Sequence, residues 1–389
     1  MESAKETAIV TDGLWRKSIS AIRSLGKEHI AVTVMGDSIF TTGMWSRFCY
    51  KKEKCATAAS NPESFGKGLE KAIAHTTNKP VILPMEDATL MWCSENRKKL
   101  SKKSYLLLPP IESLRIAENK METMKYAIKH KIHCPKTFFP KTVKELKKIL
   151  EKQELPDYVL KPYSGSGSAG ILYWSEAQEV NLEEHWQRFG PLIVQERIPK
   201  EGEGYGISIL MDQKSNVICY FGHRRLEQYP NSGGPSTQRI GFYQQQLIDE
   251  SVRLLKSLHW SGVAMVEWKE NPLTKEFVLM EINPRFWGSL ELAVRSGVNF
   301  PYLYYQVAKG RKVNPVTNYS TTTVCRWLIP GDILRYLTKP KREKLSTFLK
   351  HCLKESEEWD KQDKRTFFAS IICQGCLVFN PKYWKYIRK

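Results

Sequence analysis

The chain has 389 residues, 41% of them hydrophobic, and carries 60 Lys/Arg against 41 Asp/Glu for a formal net charge of +19. That length predicts two to three domains with ample apolar content for a core, and no apolar run approaches the eighteen or so residues of a membrane span. Met1 to Lys5 opens polar and acidic rather than as a signal peptide, and nine cysteines without regular spacing argue for a reducing compartment, so the expected location is cytoplasmic.

The first hundred residues alternate between extended and helical patterns. Strands are expected at Thr7 to Thr11, His29 to Met35, Cys55 to Ala58 and Pro80 to Leu83, with helices at Trp15 to Leu25, Pro62 to Thr76 and Glu86 to Leu100. Such alternation predicts an α/β, doubly wound parallel-sheet domain over residues 1–110. The turn Thr11-Asp12-Gly13 leads into a helix whose N-terminus suits an anion, although it is no dinucleotide fingerprint. A boundary falls at Pro109-Pro110, and helices are expected at Ile111 to His130 and Thr142 to Gln153.

Tyr158 to Lys161 reads as a strand that delivers a fixed cation to the run Tyr163-Ser164-Gly165-Ser166-Gly167-Ser168-Ala169-Gly170, before a second strand at Ile171 to Trp174. Backbone N–H groups of such a run can close over phosphates, although it matches neither the P-loop nor GxGxxG, and a flexible hairpin is the plain alternative. Pro191 to Ile198 is an apolar strand turning polar, and Glu203 follows seven residues after Glu196. Strands at Tyr205 to Met211 and Val217 to Phe221 come next. The run Phe221 to Ser236 is expected to link a strand to a helix beginning near Ile240. In it, His223, Arg224 and Arg225 suit a carboxylate, and Ser232, Gly233 and Gly234 offer backbone donors, unless this is ordinary turn chemistry.

Gly262 to Lys269 is a strand bearing Glu267. Phe277 to Trp287 reads F-V-L-M-E-I-N-P-R-F-W, with Glu281, Asn283 and Arg285 at alternate positions. Alternate residues of a strand share a face. Carboxylates beside an amide oxygen suit an oxygen-seeking Mg2+, and a neighbouring Arg suits a phosphate.

This order of parts resembles the ATP-grasp superfamily, most closely its carboxylate-amine ligases and their carbamoyl-phosphate-synthase-like relatives. The resemblance covers residues 110–310 well and the N-terminal hundred more loosely. It implies an ATP-grasp fold of two α+β subdomains over 111–310, with a small lid subdomain at about 135–195. It implies ATP with two Mg2+ (or Mn2+) ions, and Lys120 and Lys161 on the phosphates beneath a lid loop, Ser164 to Gly170. Gln195, Glu196, Arg197 and Ile198 would line the adenine through their backbone, and Glu203 would hold the ribose hydroxyls. Glu267, Glu281 and Asn283 would bind the metal and Arg285 a phosphate; Glu267 departs from the Asp or Gln of many members. The N-terminal domain would contribute to the acceptor side, with Asp12, Ser46 and Arg47 as candidates.

Two function classes follow. One is an ADP-forming ligase that activates a small carboxylate as an acyl phosphate and joins it to an amine, with Arg285, Lys161 and Arg225 carrying the charge stabilisation. The other is an ATP-binding regulatory protein whose basic C-terminal region binds nucleic acid or a membrane surface. Oligomeric state stays open, a homodimer being one option. Residues 311–389 form a basic C-terminal region, and 301–389 hold eighteen Lys/Arg against seven Asp/Glu, which is +11 of the total +19. A solvated surface, steering of an anionic substrate, an anionic membrane surface or another polyanion such as nucleic acid all fit that charge. Cys373-Gln-Gly-Cys376 stands without a second pair and reads as core cysteines.

Overall fold

The structure is a computed structural model and describes residues 6–165, 170–176, 180–230, 234–339 and 344–379. The N-terminal part runs β1 (Thr7–Val10), α1 (Arg16–Lys27), β2 (Ala31–Gly36), β3 (Cys49–Lys54), α2 (Pro62–Ala74), β4 (Val81–Leu83), α3 (Asp87–Glu95) and α4 (Arg97–Leu100). Its four strands are parallel in the order β3-β2-β1-β4, the doubly wound arrangement that the alternation predicts. The third strand is not at Cys55 to Ala58, however. It is C-Y-K-K-E-K, with only Glu53 buried, and it forms the sheet's edge. An edge strand needs little apolar patterning and often carries Lys, so its sequence does not announce it.

A second unit contains α5 (Ile111–Glu118), α6 (Lys120–Lys129), β5 (Thr137–Phe138), α7 (Val143–Glu151), β6 (Tyr158–Pro162), β7 (Leu172–Tyr173), α8 (Leu182–Phe189) and β8 (Leu192–Glu196). The expected single helix from Ile111 to His130 is two. Asn119 is extended (φ −105°, ψ 111°), and its side chain accepts from the N–H groups of Met121 (3.0 Å) and Glu122 (3.2 Å), capping α6. An Asn that satisfies otherwise orphaned amides starts a helix afresh. Strands β5-β8-β6-β7 form an antiparallel sheet with its own small core, including Leu146, Leu150, Leu160, Leu192 and Val194.

The third unit contains β9 (Gly204–Met211), β10 (Val217–Gln228), β11 (Ser236–Phe242), α9 (Gln245–Ser257), β12 (Gly262–Glu270), β13 (Phe277–Asn283), α10 (Leu290–Arg295), α11 (Phe300–Ala308), β14 (Val324–Arg326), α12 (Ile333–Thr338), α13 (Leu345–Glu355) and α14 (Lys364–Phe379). Its six-stranded sheet has the order β13-β12-β9-β10-β11-β14. The helix expected near Ile240 starts only at Gln245, because Ile240 lies in β11, paired to Arg224 and Val324. The polar run after Phe221 is therefore the second half of a long strand. Its polar and charged side chains hide the alternation.

Core residues from the parallel sheet (Val34, Leu83), the large sheet (Phe221, Val263) and α11 (Phe300, Tyr304) form one continuous apolar cluster. Residues past 310 are built into this body rather than appended to it. Strand β14 extends the large sheet, and the segment 355–363 sends its carboxylates inward. Asp363 pairs with buried Arg23 of α1 (3.0 Å), while Glu357 pairs with Arg16 (2.6 Å) and with buried Arg239 of β11. Arg326 bonds Asp332 (3.0 Å) and Glu355 (2.6 Å), and Arg335 bonds Asp332 (2.5 Å).

Candidate active site

The candidate site lies on one face of the large sheet, beside the end of β6. Strands β12 and β13 pair with Glu267 opposite Glu281, and Asn283 sits two residues along on the same face. The Asn283 amide donates to Glu267 (3.1 Å) and to Glu281 (3.4 Å), so three oxygen-bearing side chains converge. Burial pushes the Glu267 carboxyl up. Against the same burial, Lys120, Arg225 and Lys161 hold Glu281 down. Among the described residues no three His, Cys, Asp or Glu cluster as a metal cage. Two carboxylates and an amide oxygen nevertheless fit a hard cation that takes its remaining ligands from phosphate and water, the habit of Mg2+.

Two lysines meet this acidic pair. Lys161 on β6 is buried and donates to the Gln195 side chain (2.6 Å), which itself donates to Thr137 (3.0 Å). Burial, with Lys120 and Lys269 adding to it, pushes the Lys161 ammonium down to about 8, while Glu281 opposes. Lys120 is the first residue of α6. Its N–H donates to the Tyr163 carbonyl (2.7 Å), and its ammonium donates to the Gly165 carbonyl (2.8 Å) and lies 3.6 Å from Glu281. The helix break at Asn119 thus delivers Lys120 to the same place as Lys161. Ser164 and Gly165 are exposed there, Gly165 with φ +127°, whereas Ser166, Gly167 and Ser168 lie outside the described residues.

Glycines make the next contact geometrically feasible. Strand β9 runs between β10 and β12, with Gly206 opposite both His223 and Glu267. A Cβ on Gly206 would sit 2.3 Å from the His223 ring, and one on Gly204 would sit 3.1 Å from Arg225 Cδ. With no side chains in the way, Arg225 reaches across β9 and pairs with Glu267. On the other side of β10, Arg224 pairs with Glu203 (2.6 Å), which also accepts from the Tyr205 hydroxyl (2.6 Å). His223 does not face the open cleft. It is buried against Ser289, and burial, with Arg225 and Arg239 adding to it, pushes its ring down to about 3, so it is neutral at pH 7.

Arg285 lies just past the end of β13. Its guanidinium pairs with Asp87 in the first turn of α3 (2.8 Å) and donates to the Phe286 carbonyl (3.2 Å). Beside it Lys17 of α1 pairs with Glu86 at the start of α3 (2.7 Å), so helices of the N-terminal part contribute charged groups to this end of the cleft. Asp12 is buried behind them, accepting from Thr11 (2.6 Å) and Thr89 (3.2 Å). Ser46 and Arg47 are elsewhere: both bond Asp363 (2.8 and 2.9 Å), which makes them structural contacts to the segment 355–363.

At the end of β8 and just past it, the N–H groups of Glu196 and Arg197 donate to the carbonyls of Lys136 (2.8 Å) and Asp157 (3.2 Å), and the Ile198 carbonyl accepts from Lys269 (3.2 Å). The Arg197 guanidinium is tied to Asp157 and Glu176 (2.7 Å each). Gly234 packs against the Tyr229 carbonyl, and Ser232 and Gly233 lie outside the described residues. Sequence reasoning missed Asp87, the Gln195 side chain and the two β9 glycines. Asp87 meets Arg285 only through the tertiary fold, but Gly-Tyr-Gly in an otherwise apolar strand was a readable sign of close approach.

Comparison with known proteins bears on the fold that carries these residues. A family model described as the ATP-grasp domain matches residues 117–289. The matched stretch follows the parallel-sheet part of the chain, and α10, α11, β14 and α12 to α14 come after it. Among solved structures, N5-carboxyaminoimidazole synthetase from Staphylococcus aureus superposes with a TM-score of 0.66 at 12% identity, over 90% of this chain and 87% of that one. The biotin carboxylase domain dimer of Hydrogenobacter thermophilus 2-oxoglutarate carboxylase, solved with MgADP and bicarbonate, gives 0.64 at 14% identity over 83% and 74%. Biotin carboxylase from Campylobacter jejuni gives 0.64 at 12% identity over 79% and 71%. At these identities the likeness is one of fold. No curated protein matches the chain by sequence.

Proposed function

We propose that the chain is an ATP- and Mg2+-dependent, ADP-forming ligase that activates a small carboxylate as an acyl phosphate and joins it to an amine. The observation that carries this reading is the convergence of Lys120 and Lys161 from one unit on Glu267, Glu281 and Asn283 of another, with Arg225 and Arg285 flanking them. An effector domain that only senses a nucleotide has no use for the full set.

Each residue then has a task. Lys120 and Lys161 meet the nucleotide phosphates, Glu203 meets the ribose, and the backbone around Gln195 to Ile198 borders the adenine. Glu267, Glu281 and Asn283 hold Mg2+, which when bound neutralises and aligns the phosphates. Arg285, held by Asp87, and Arg225, once released from Glu267, stabilise the charge that develops as the substrate carboxylate attacks the γ-phosphorus. The bond from that phosphorus to the β,γ-bridging oxygen breaks and ADP leaves. The amine then attacks the acyl carbon, loses a proton, and displaces phosphate to leave an amide. No side-chain nucleophile is required, because the protein's contribution is positioning and charge.

The test is ADP release with pools of amino acids and small carboxylates, singly and in pairs, followed by oxygen-18 labelling of the active carboxylate. Label in the released phosphate supports the acyl-phosphate route. Label confined to the product, or turnover to AMP and pyrophosphate, overturns it.

A further inference from the structure

Helices α13 and α14 carry apolar side chains on their outer surfaces. On α13, Leu345, Leu349 and Leu353 recur at four-residue steps and are 58%, 57% and 45% exposed, while Phe348 and Cys352 turn inward. On α14, Phe368, Ile371 and Ile372 are 57%, 47% and 59% exposed, while Thr366, Ala369 and Ser370 are buried. Monomeric proteins bury such stripes unless something covers them.

The charges around these stripes are sorted by sign. Acidic side chains of the segment turn to internal partners: Asp332 to Arg326 and Arg335, Glu355 to Arg326, Glu357 to Arg16 and Arg239, Asp360 to Lys27, and Asp363 to Arg23. Glu358 accepts from the N–H groups of Leu328 and Ile329. Lys350, Lys354, Lys361, Lys364 and Arg365 are exposed on and beside the apolar stripes, and none pairs with a described acidic residue.

We propose that this face docks on an anionic lipid surface, with the leucines, Phe368 and the isoleucines entering the interface and the lysines meeting the headgroups. The mixture selects the occupant. A nucleic acid would satisfy the lysines but give aliphatic side chains nothing, and a second copy would set like charge against like charge. A bilayer of acidic lipids accepts both, as amphipathic helices with basic flanks do. Among the described residues no helix is long and apolar enough to cross a membrane, so the contact is peripheral.

The test uses the full chain and sedimentation with phosphatidylcholine vesicles, with and without phosphatidylglycerol. Partitioning should be at least about tenfold stronger on the anionic vesicles and weaken with salt. Leu349→Ser with Leu353→Ser, and separately Ile371→Ser with Ile372→Ser, should each lower it several-fold at an unchanged melting temperature, since these side chains are exposed. Lys350→Glu with Lys354→Glu should do the same. Failure to sediment with either vesicle overturns the proposal. So does binding to which the apolar variants make no difference, which marks a general polyanion site, and so does self-association abolished by the same serine substitutions.

Discussion

The Arg225 guanidinium rests on the Glu267 carboxylate, reaching it across a strand that carries glycine at 204 and 206. A cation from the protein therefore occupies part of the position proposed for Mg2+. Arg224 with Glu203, Lys120 with Glu281 and Arg285 with Asp87 likewise set cations against carboxylates around it. Ligand entry then becomes an exchange of partners rather than the filling of an open charge.

That exchange gives the first expected outcome. Arg225→Gln removes the competitor for Glu267, so Mn2+ bound without nucleotide should tighten several-fold at pH 8, as read by electron paramagnetic resonance of the free ion. Turnover should fall in the same variant. Glu281→Gln should lose both metal binding and turnover while its melting temperature stays close to that of the parent. Unaltered Mn2+ affinity in both variants would remove the metal assignment.

Lys161 sets a pH dependence. Burial brings its ammonium down to about 8, and nearby phosphates favour the charged form. Nucleotide binding should therefore take up protons above pH 8, and affinity should decline as pH rises past that point. Calorimetry in buffers of different ionisation enthalpy measures the uptake. The folded chain also releases this proton before the unfolded one does, so between about 8 and 10.5 the Lys161 contribution to stability rises with pH. Lys161→Met should abolish both effects, and Lys161→Ala should weaken nucleotide binding more than Lys120→Ala does.

Arg285 and Asp87 separate chemistry from binding. Arg285→Ala should slow the chemical step by about a hundredfold, a typical loss for one preorganised charge-stabilising donor, with nucleotide affinity little altered. Asp87→Asn leaves Arg285 present but untethered and should lower kcat less, with partial recovery in Asp87→Glu. Single-turnover measurements distinguish this from a defect in nucleotide binding.

Asp363→Ala strands the buried Arg23 guanidinium and removes the acceptor for Ser46 and the Arg47 N–H. Breaking a buried pair in this way costs about 3–5 kcal/mol. Denaturant unfolding should report that loss, and an effect under about 1 kcal/mol would mean that water reaches Arg23.

The parallel sheet, the strands bearing Lys161, Glu267 and Glu281, and the proximity of Glu281 to Asn283 were legible because periodicity two and alternating α/β segments leave plain marks in sequence. Strand β3 was not, since an edge strand rich in lysine looks like a loop. The second half of β10 was not, because His223, Arg224 and Arg225 replaced the apolar alternation. Lys120 looked like an ordinary solvated helix residue; only the cap at Asn119 brings it to the carbonyls of Tyr163 and Gly165. The pairs Arg285–Asp87 and Arg23–Asp363 join residues far apart in the chain, and no local pattern encodes them.

The Arg23–Asp363 bond spans 340 positions of chain, and this has a bearing on how the protein is made. A chain leaving the ribosome has produced every strand of the parallel sheet and of the large one before residue 363 appears. Until then Arg23 must stay hydrated, because closing α1 over an unpaired guanidinium is prohibitively costly. The N-terminal unit, although first in line, can reach its final packing only when synthesis has passed that aspartate, so α1 is a late-setting part of an early-made domain.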